Sequence, residues 1–323
     1  MNVFVTGGAG YIGSVCVEEL LEAGHAVTVL DNLSAGHRAA VDERARFVEG
    51  SLSERAAVAE AIKHSAAEAV VHFAALALVS ESMANPAAYF RNNVADALNL
   101  LDAAVEAGVR KFVFSSSCST YGPPERIPVA EDAPQRPINP YGESKLMFER
   151  MLQWYGQVYG LEHVILRYFN AAGATRRFGE HHRLETHLIP NVLKVALGQA
   201  PHCPVYGMDY PTPDGTCIRD YVHVVDLARA HILALAPGKA GCYNLGNGEG
   251  YSVREVIAAC ERVTGRRLPI ARMPPRPGDP PRLIAAADKA RRQLGWTPIH
   301  PKLDEIVASA WAWHQTHPQG YPD

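Results

Sequence analysis

"VFVTGGAGYIGS", Val3 to Ser14, decides the fold. A short β-branched and aromatic run ends in a glycine-rich turn, and an apolar-periodic segment follows. Gly7, Gly10 and Gly13 give the spacing G-x-x-G-x-x-G. Glycines let a backbone turn tightly and approach a pyrophosphate, while the next helix offers N–H donors and the positive end of its dipole. A glycine turn alone is a common loop. Its setting gives this one meaning: strand before, helix after, and Asp31 closing the second strand 18 residues beyond Gly13. A carboxylate there accepts from adenosine ribose hydroxyls and repels a 2′-phosphate, so NAD is expected rather than NADP. Arg38, nearby in sequence, is a cation that argues the other way.

Outward from that turn, strand and helix alternate. "IGSVCVEELLEAG" sets Ile12, Val15, Val17, Leu20 and Leu21 near helical period, with Gly24 as a stop. Ala26–Asn32, Arg46–Gly50, Ala69–Ala75 and Lys111–Ser117 read as strands, and Ser53–His64 as a helix. "PAAYFRNNVADALNLLDAAVEAG" predicts one long helix over Pro86–Gly108. The strands are continuous apolar runs, as expected when helices cover both faces. The expectation is an α/β fold, a doubly wound parallel sheet of Rossmann type. Ligands of such sheets bind outside the carboxyl ends of the strands. Residues 1–170 are expected to form the nucleotide-binding domain and 171–323 a smaller mixed α/β substrate domain. Segments near 217–246, "RDYVHVVDLARAHILAL" and "CYNLG", are expected to return to the first.

Bulk properties narrow the classes. The 323 residues carry 31 basic and 34 acidic side chains, a net charge of −3, with no long run of either sign, which argues against nucleic acid or an anionic membrane as partner. Six scattered cysteines without a CxxC pair suit a reduced, cytoplasmic protein. "MNVFVTGGAG" lacks the marks of a signal peptide, and no window approaches the run of about 18 apolar residues of a membrane span. In "GEHHRLETH" (Gly179–His187), His181, His182 and His187 lack the i, i+4 spacing of helical zinc motifs. A solvated loop and no metal are expected there.

The chemistry concentrates in two stretches. "SSSCSTYG" (Ser115–Gly122) delivers serines to a strand end; Ser115 and Ser116 read as turn formers, Ser117 as a functional hydroxyl. "NPYGESK" (Asn139–Lys145) puts Tyr141 and Lys145 on one helix face. A free phenol titrates near 10 and is a poor base at neutral pH. A nearby ammonium and the positive nicotinamide favour the phenolate, which can then take a hydroxyl proton while hydride leaves the same carbon. Serine adds a hydrogen bond to the developing carbonyl.

With these motifs the chain resembles the extended short-chain dehydrogenase/reductases, and among them the branch that inverts C4 of UDP-sugars. The likeness runs nearly end to end, through "DNLSAGH", "VVHFAA", "NNV", "LRYFNAAGA", "YGMDYPTPDGTCIRDYVHVVDLA", "YNLGNG" and "RPGDPP". It implies NAD-dependent interconversion of UDP-galactose and UDP-glucose through a transient 4-keto sugar, by a homodimer joined through helices at about 86–107 and 140–159. NAD contacts carried over are Gly7, Gly10, Tyr11, Ile12 and Gly13, then Asp31, Asn32, Leu33, Ser34, Ala35 and Gly36. Ser51, Leu52, Phe73, Ala74, Ala75, Leu76 and Ala77 follow, then Asn92, Ser115, Tyr141, Lys145 and Phe169. Ser117, Tyr141 and Lys145 take the catalytic roles, Ser117 and Tyr141 also meeting substrate. The resemblance gives the diphosphate to Asn170, Arg219 and Arg276, the uracil side to Tyr206 with Val205, and the uridine ribose to Asp279. His187, Leu188 and Tyr221 line the same site, and Leu283 lies beside the sugar 2-position.

Two departures stand out. Ser51 replaces a common aspartate near adenine, and Ala77 a lysine that some relatives place on the cofactor phosphates. Blander readings are also open: Arg219 as an ion pair with Asp220, Tyr206 as core, "RPGDPP" as a surface loop. Leu283, mid-sized and branched, favours plain over N-acetylated sugars without excluding the latter. A 4,6-dehydratase would need an acid/base pair where Cys118 and Ser119 stand. A non-catalytic NAD sensor has no need of the intact triad.

Overall fold

The computed structural model describes residues 1–276 and 279–322. Its main sheet starts with β1 (Asn2–Thr6), β2 (Ala26–Asp31) and β3 (Arg46–Glu49), then β4 (Ala69–His72), β5 (Lys111–Ser117) and β6 (Glu162–Tyr168). Between them run α1 (Tyr11–Glu22), α2 (Arg55–Ser65), α3 (Val79–Ala84), α4 (Pro86–Phe90), α5 (Ala97–Glu106) and α6 (Pro140–Tyr159). Beyond β7 (Asn170–Ala172), α7 (Leu188–Ala196), β8 (Cys203–Tyr206), β9 (Ile218–Arg219), β10 (Tyr221–His223) and α8 (Val224–Ala234), the chain comes back as β11 (Gly241–Leu245). The sheet order is β11-β6-β5-β4-β1-β2-β3, with every neighbouring pair parallel.

Alternate strand residues feed two cores. Val3 and Val5 join Val15, Val17 and Leu20 of α1 and Leu227 of α8. Phe4 points to the other face, with Ile62 of α2, Leu100 and Leu101 of α5 and Phe148 of α6. Both faces are therefore dry, which is why the strands lack polar alternation.

The long helix expected over Pro86–Gly108 is instead α4, a π-helical turn at Arg91–Asp96, and α5. Asn93, in that turn, is buried. Its amide accepts from Leu76 N at 2.9 Å and donates to Leu76 O and Ser144 Oγ, each at 3.0 Å. A local demand for polar contact overrides the regular ladder, as π-turns at functional positions commonly show. Ser115 and Ser116 are likewise not turn formers but buried β5 residues.

The remaining elements are β12 (Tyr251–Ser252), α9 (Val253–Thr264), β13 (Ile270–Met273), β14 (Arg282–Leu283) and α10 (Leu303–Thr316). They build small sheets, β12-β9-β14, β10-β7 and β13-β8, over a core of Ile189, Leu193, Val256, Ile257, Ile306 and Val307. Of residues 217–246, α8 packs on α1 and β11 joins the main sheet, whereas Ile218–His223 pair within the small sheets. Among the described residues no helix is long and apolar enough to cross a membrane. All six cysteines are free.

One buried network ties α6 to the sheet. Arg167 of β6 grips the Glu149 carboxylate with two N–H donors, at 2.9 and 2.6 Å, and donates to Tyr121 OH at 2.7 Å. Ser116 Oγ and Gln135 Nε2 donate to the same carboxylate at 2.5 and 3.0 Å. Glu149→Ala strands a buried guanidinium, and should cost about 3–5 kcal/mol. The expected readout is a lower urea midpoint at unchanged m-value.

Candidate active site

Most predicted nucleotide contacts lie at or just past the carboxyl end of a strand; Asn92 comes from the π-helical turn, and Tyr141 and Lys145 from α6. Gly7, after β1, has φ +75°, and a Cβ on Gly13 would sit 2.1 Å from Gly7 O. The turn closes so tightly that no larger residue fits at Gly13. Asp31 locks it: Oδ2 accepts from Ala9 N at 3.0 Å and Oδ1 from Leu33 N at 2.9 Å. Burial raises this carboxyl, and those N–H groups oppose the rise. Beside it, Asn32 Oδ1 accepts from Ser34 N and Oγ, while Ala35 is exposed and Gly36 buried. Arg38 stacks its guanidinium 4.5 Å over the Phe47 ring.

After β3, Ser51 Oγ meets Ser53 Oγ at 2.9 Å and Leu52 is buried. After β4, Phe73 N and Ala74 N both donate to Thr6 O, and the Asn93 amide holds Leu76 between Ala75 and the exposed Ala77. Asn92 Nδ2 donates to Asn93 Oδ1 at 2.8 Å. Tyr11 OH donates to Gly173 O at 2.6 Å, and Ile12 packs against the core. Gly10 accepts the first helical bond of α1, from Ser14 N.

The opening of α6 explains "NPYG". Asn139 caps the helix by accepting from Gly142 N at 2.8 Å, and Pro140 occupies the first turn. A Cβ on Gly142 would lie 2.5 Å from Ser119 O, so only glycine lets the helix start so close to the end of β5. Tyr141 and Lys145 thereby arrive beside Ser117. Lys145 Nζ donates to Ser115 O at 2.8 Å and lies 5.9 Å from the centre of the Tyr141 ring. Burial pushes Tyr141 up to about 12, with the Ser117 hydroxyl acting against it, and pulls Lys145 down to about 7, with Glu149 opposing. The folded chain alone thus favours phenol and amine over phenolate and ammonium.

The other wall comes from the small sheets. Phe169 and Leu283 share an apolar cluster with Cys118, Tyr121, Val129 and Ala285. Asn170 N donates to Asp220 O at 2.8 Å. Arg219 pairs with Asp279, not with its sequence neighbour Asp220. The Asp220 carboxylate instead accepts from Asn247 N, Gly248 N and Ala285 N at 2.8–3.1 Å, and burial raises it to about 6. Arg276 lies 4.1 Å over the half-buried Tyr206 ring. Val205 and Tyr221 are core residues, and Leu188 opens α7. Pro277 and Gly278 of "RPGDPP" lie outside the described residues.

The loop expected to be solvated at 179–187 is so in part: Arg183, Leu184 and His187 are exposed, whereas Gly179 and Glu180 are buried. Glu180 is 5% exposed, and His187 Nδ1 lies 2.7 Å from its carboxylate. Burial disfavours a charged His187, but Glu180 and Glu185 outweigh it and raise the imidazole to about 10. Sequence reading missed Asn93, Glu149, Asp220 and Glu180. Only Glu149 had a local signal, since it continues the four-residue spacing of Tyr141 and Lys145.

Comparison with known proteins agrees with this arrangement. Residues 3–246 match the model of the NAD dependent epimerase/dehydratase family. The UDP-glucose 4-epimerase of Lacticaseibacillus casei is 48% identical, over 100% of this chain and 99% of its own. A UDP-glucose 4-epimerase from Brucella ovis, solved in complex with NAD, is 48% identical with a TM-score of 0.93, covering 96% of this chain and 97% of that one. The Bifidobacterium longum UDP-glucose 4-epimerase, solved with NAD+ and UDP, is 38% identical with a TM-score of 0.95, covering 99% and 100%.

The lysine gives a pH test. With Lys145 at about 7 folded and 10.5 as the ordinary value, the folded chain binds fewer protons than the unfolded one between those pH values. Its destabilising effect is complete below pH 7 and fades as pH rises, so stability gains up to about 1.4 kcal/mol per pH unit from this residue. Wild type should therefore gain on Lys145→Met between pH 7 and about 9.5. Urea unfolding at each pH checks the sign.

Proposed function

The chain belongs to the NAD dependent epimerase/dehydratase family, and from that premise we propose that it interconverts UDP-galactose and UDP-glucose by inverting C4. The observation that carries this is the meeting of Tyr141, Lys145 and Ser117 at the same sheet edge as the glycine turn and Asp31. A cradle that a Cβ at Gly13 would fill, closed by an acidic residue, fits NAD. Arg38, the cation near this turn in sequence, stacks on the Phe47 ring.

Tyr141, as phenolate, takes the proton of the 4-hydroxyl as C4 gives up hydride, and returns it after the keto sugar has turned over. Ser117 donates a hydrogen bond to the oxygen as it becomes a carbonyl. Held by the Gly7–Gly13 turn and Asp31, NAD would supply the hydride acceptor, and its positive nicotinamide would favour the phenolate that burial alone disfavours. Lys145, held by Ser115 O, supplies the second positive charge when protonated. Turnover of the sugar requires that the UDP stay fixed. Asn170, Arg219 and Arg276 suit its diphosphate, since guanidinium forks match such oxyanions. Tyr206 and Asp279 suit the uridine, with His187, Leu188, Val205 and Tyr221 behind them. The 1–170 segment is then the NAD domain, completed by α8 and β11, and 171–323 the UDP-sugar domain. Leu283 favours plain sugars.

A homodimer in the cytoplasm is the proposed setting. Met147, Trp154 and Val158 form an exposed apolar stripe on α6, with Trp154 65% exposed. Six free cysteines suit a reducing compartment. Trp154→Glu should shift the protein to a monomer on size-exclusion chromatography.

Purified protein given UDP-galactose and no added NAD should form UDP-glucose, followed by chromatography. Silence with and without added NAD would overturn the proposal. Tyr141→Phe should lower turnover by about 100-fold or more while leaving UDP binding intact. A variant within about tenfold of wild type, roughly 1.4 kcal/mol, would remove Tyr141 as the base.

A further inference from the structure

Four side chains converge just before α7, of which only His187 also borders the proposed uridine site. Glu180, His182, Glu185 and His187 each present one donor atom, and these atoms all lie within 4.8 Å of one another. His187 Nδ1 is 2.7 Å from Glu180 Oε1 and 3.2 Å from Glu185 Oε1, and His182 Nε2 is 3.3 Å from Glu180 Oε1.

Hydrogen bonding accounts for only part of this group, Glu185 Oε1 accepting from His187 N at 2.8 Å. The single proton that Nδ1 of His187 can carry cannot serve two carboxylates. His182 Nε2 is buried yet has no hydrogen-bond partner, its approach to Glu180 being off the line of a bond. A buried imidazole nitrogen with no hydrogen bond of its own, within 4.8 Å of three other donor atoms, suits a shared centre. A charged His187 balances only one of the two carboxylates, whereas a divalent cation, displacing the proton of that imidazole, balances both.

We propose that Glu180, His182, Glu185 and His187 bind a divalent transition-metal ion, with zinc the best match to a two-imidazole, two-carboxylate set. A tetrahedral zinc with bonds of about 2.0–2.2 Å sets its ligand atoms about 3.3–3.6 Å apart, inside the range from 2.7 Å to 4.8 Å found here, so side-chain rearrangement on the ångström scale completes the shell. Borderline nitrogen donors beside carboxylates favour zinc and its neighbours over magnesium or calcium, which prefer all-oxygen shells. Glu180 is 5% exposed on its side chain and His187 47%, so the group is anchored on one side and open to solvent on the other. The ion would cross-link the 179–187 loop on itself, up to the residue that precedes α7. His182 meets the Tyr11 ring edge-on at 6.3 Å, so the same ion steadies a loop that touches the nucleotide cradle.

The test uses the full chain, stripped with EDTA, dialysed and titrated with Zn2+, with uptake read by elemental analysis and Co2+ substitution read by its visible absorption. One ion per chain is expected, and His182→Ala and Glu185→Gln should each weaken binding by at least about tenfold. Glu185→Gln keeps the side-chain shape, and near-UV circular dichroism confirms that each variant is folded. Less than half an ion per wild-type chain, or uptake that both folded variants retain, overturns the site and leaves an ion-pair cluster. Neither readout depends on epimerase turnover, so the two proposals fail separately.

Discussion

The grip of Arg167 on Glu149 is the contact on which the rest of the site depends. It lies where α6 meets β5 and β6, and it is fully enclosed. A buried ion pair adds little net stability over an apolar pair of the same shape, because both partners must leave water. Its value here is positional. Tyr141, Lys145 and Glu149 follow one another at four-residue spacing, so fixing the third sets the axial rotation and height of the first two. Ser116 binds the same carboxylate, and its neighbour Ser117 is set with it. Tyr121 extends the chain of contacts to Asn244 of β11 at 2.7 Å. A hydroxyl, a phenol and an amine from two elements are thereby held in one register.

The interior that fixes these groups also works against their charges. Low polarity raises the phenol and lowers the amine, so the fold is poised rather than active. Asp31 and Asp220 show how the chain keeps buried carboxylates where it needs them, by giving them backbone N–H groups. Tyr141 receives no such compensation from backbone. A positive ligand beside it therefore has the largest effect on its proton, which makes cofactor and base a single unit.

Legibility in the sequence followed the range of each interaction. The glycine turn, the strands with both faces dry and the capped start of α6 are local patterns, and all could be read directly. The π-turn at Arg91–Asp96 could not, because its cause is a contact from Asn93 to Leu76 across a different element. For Arg219, an ion pair with the adjacent Asp220 was the blander reading beside the diphosphate one. The pleat turns neighbours to opposite faces, and the actual partner is Asp279, delivered by another loop. Glu180 was invisible for a related reason. Its loop has neither helical nor strand period, so nothing in the order of residues signals that four donors converge.

The late return of β11 has a consequence for synthesis. The ribosome releases β1 to β6 in order, and those strands can pair as they emerge. β6 then keeps one bare edge while the chain from Asn170 to Ala240 is made. Unpaired strand edges invite pairing with other chains. The nascent protein therefore passes through an interval in which its largest sheet is one strand short, and closure waits on Gly241–Leu245. α8, which precedes β11 and packs on α1, is released just before that closure and can guide the last strand home. A single polypeptide order thus couples completion of the first unit to the opening part of the second, since β12, α9, β13, β14 and α10 follow β11.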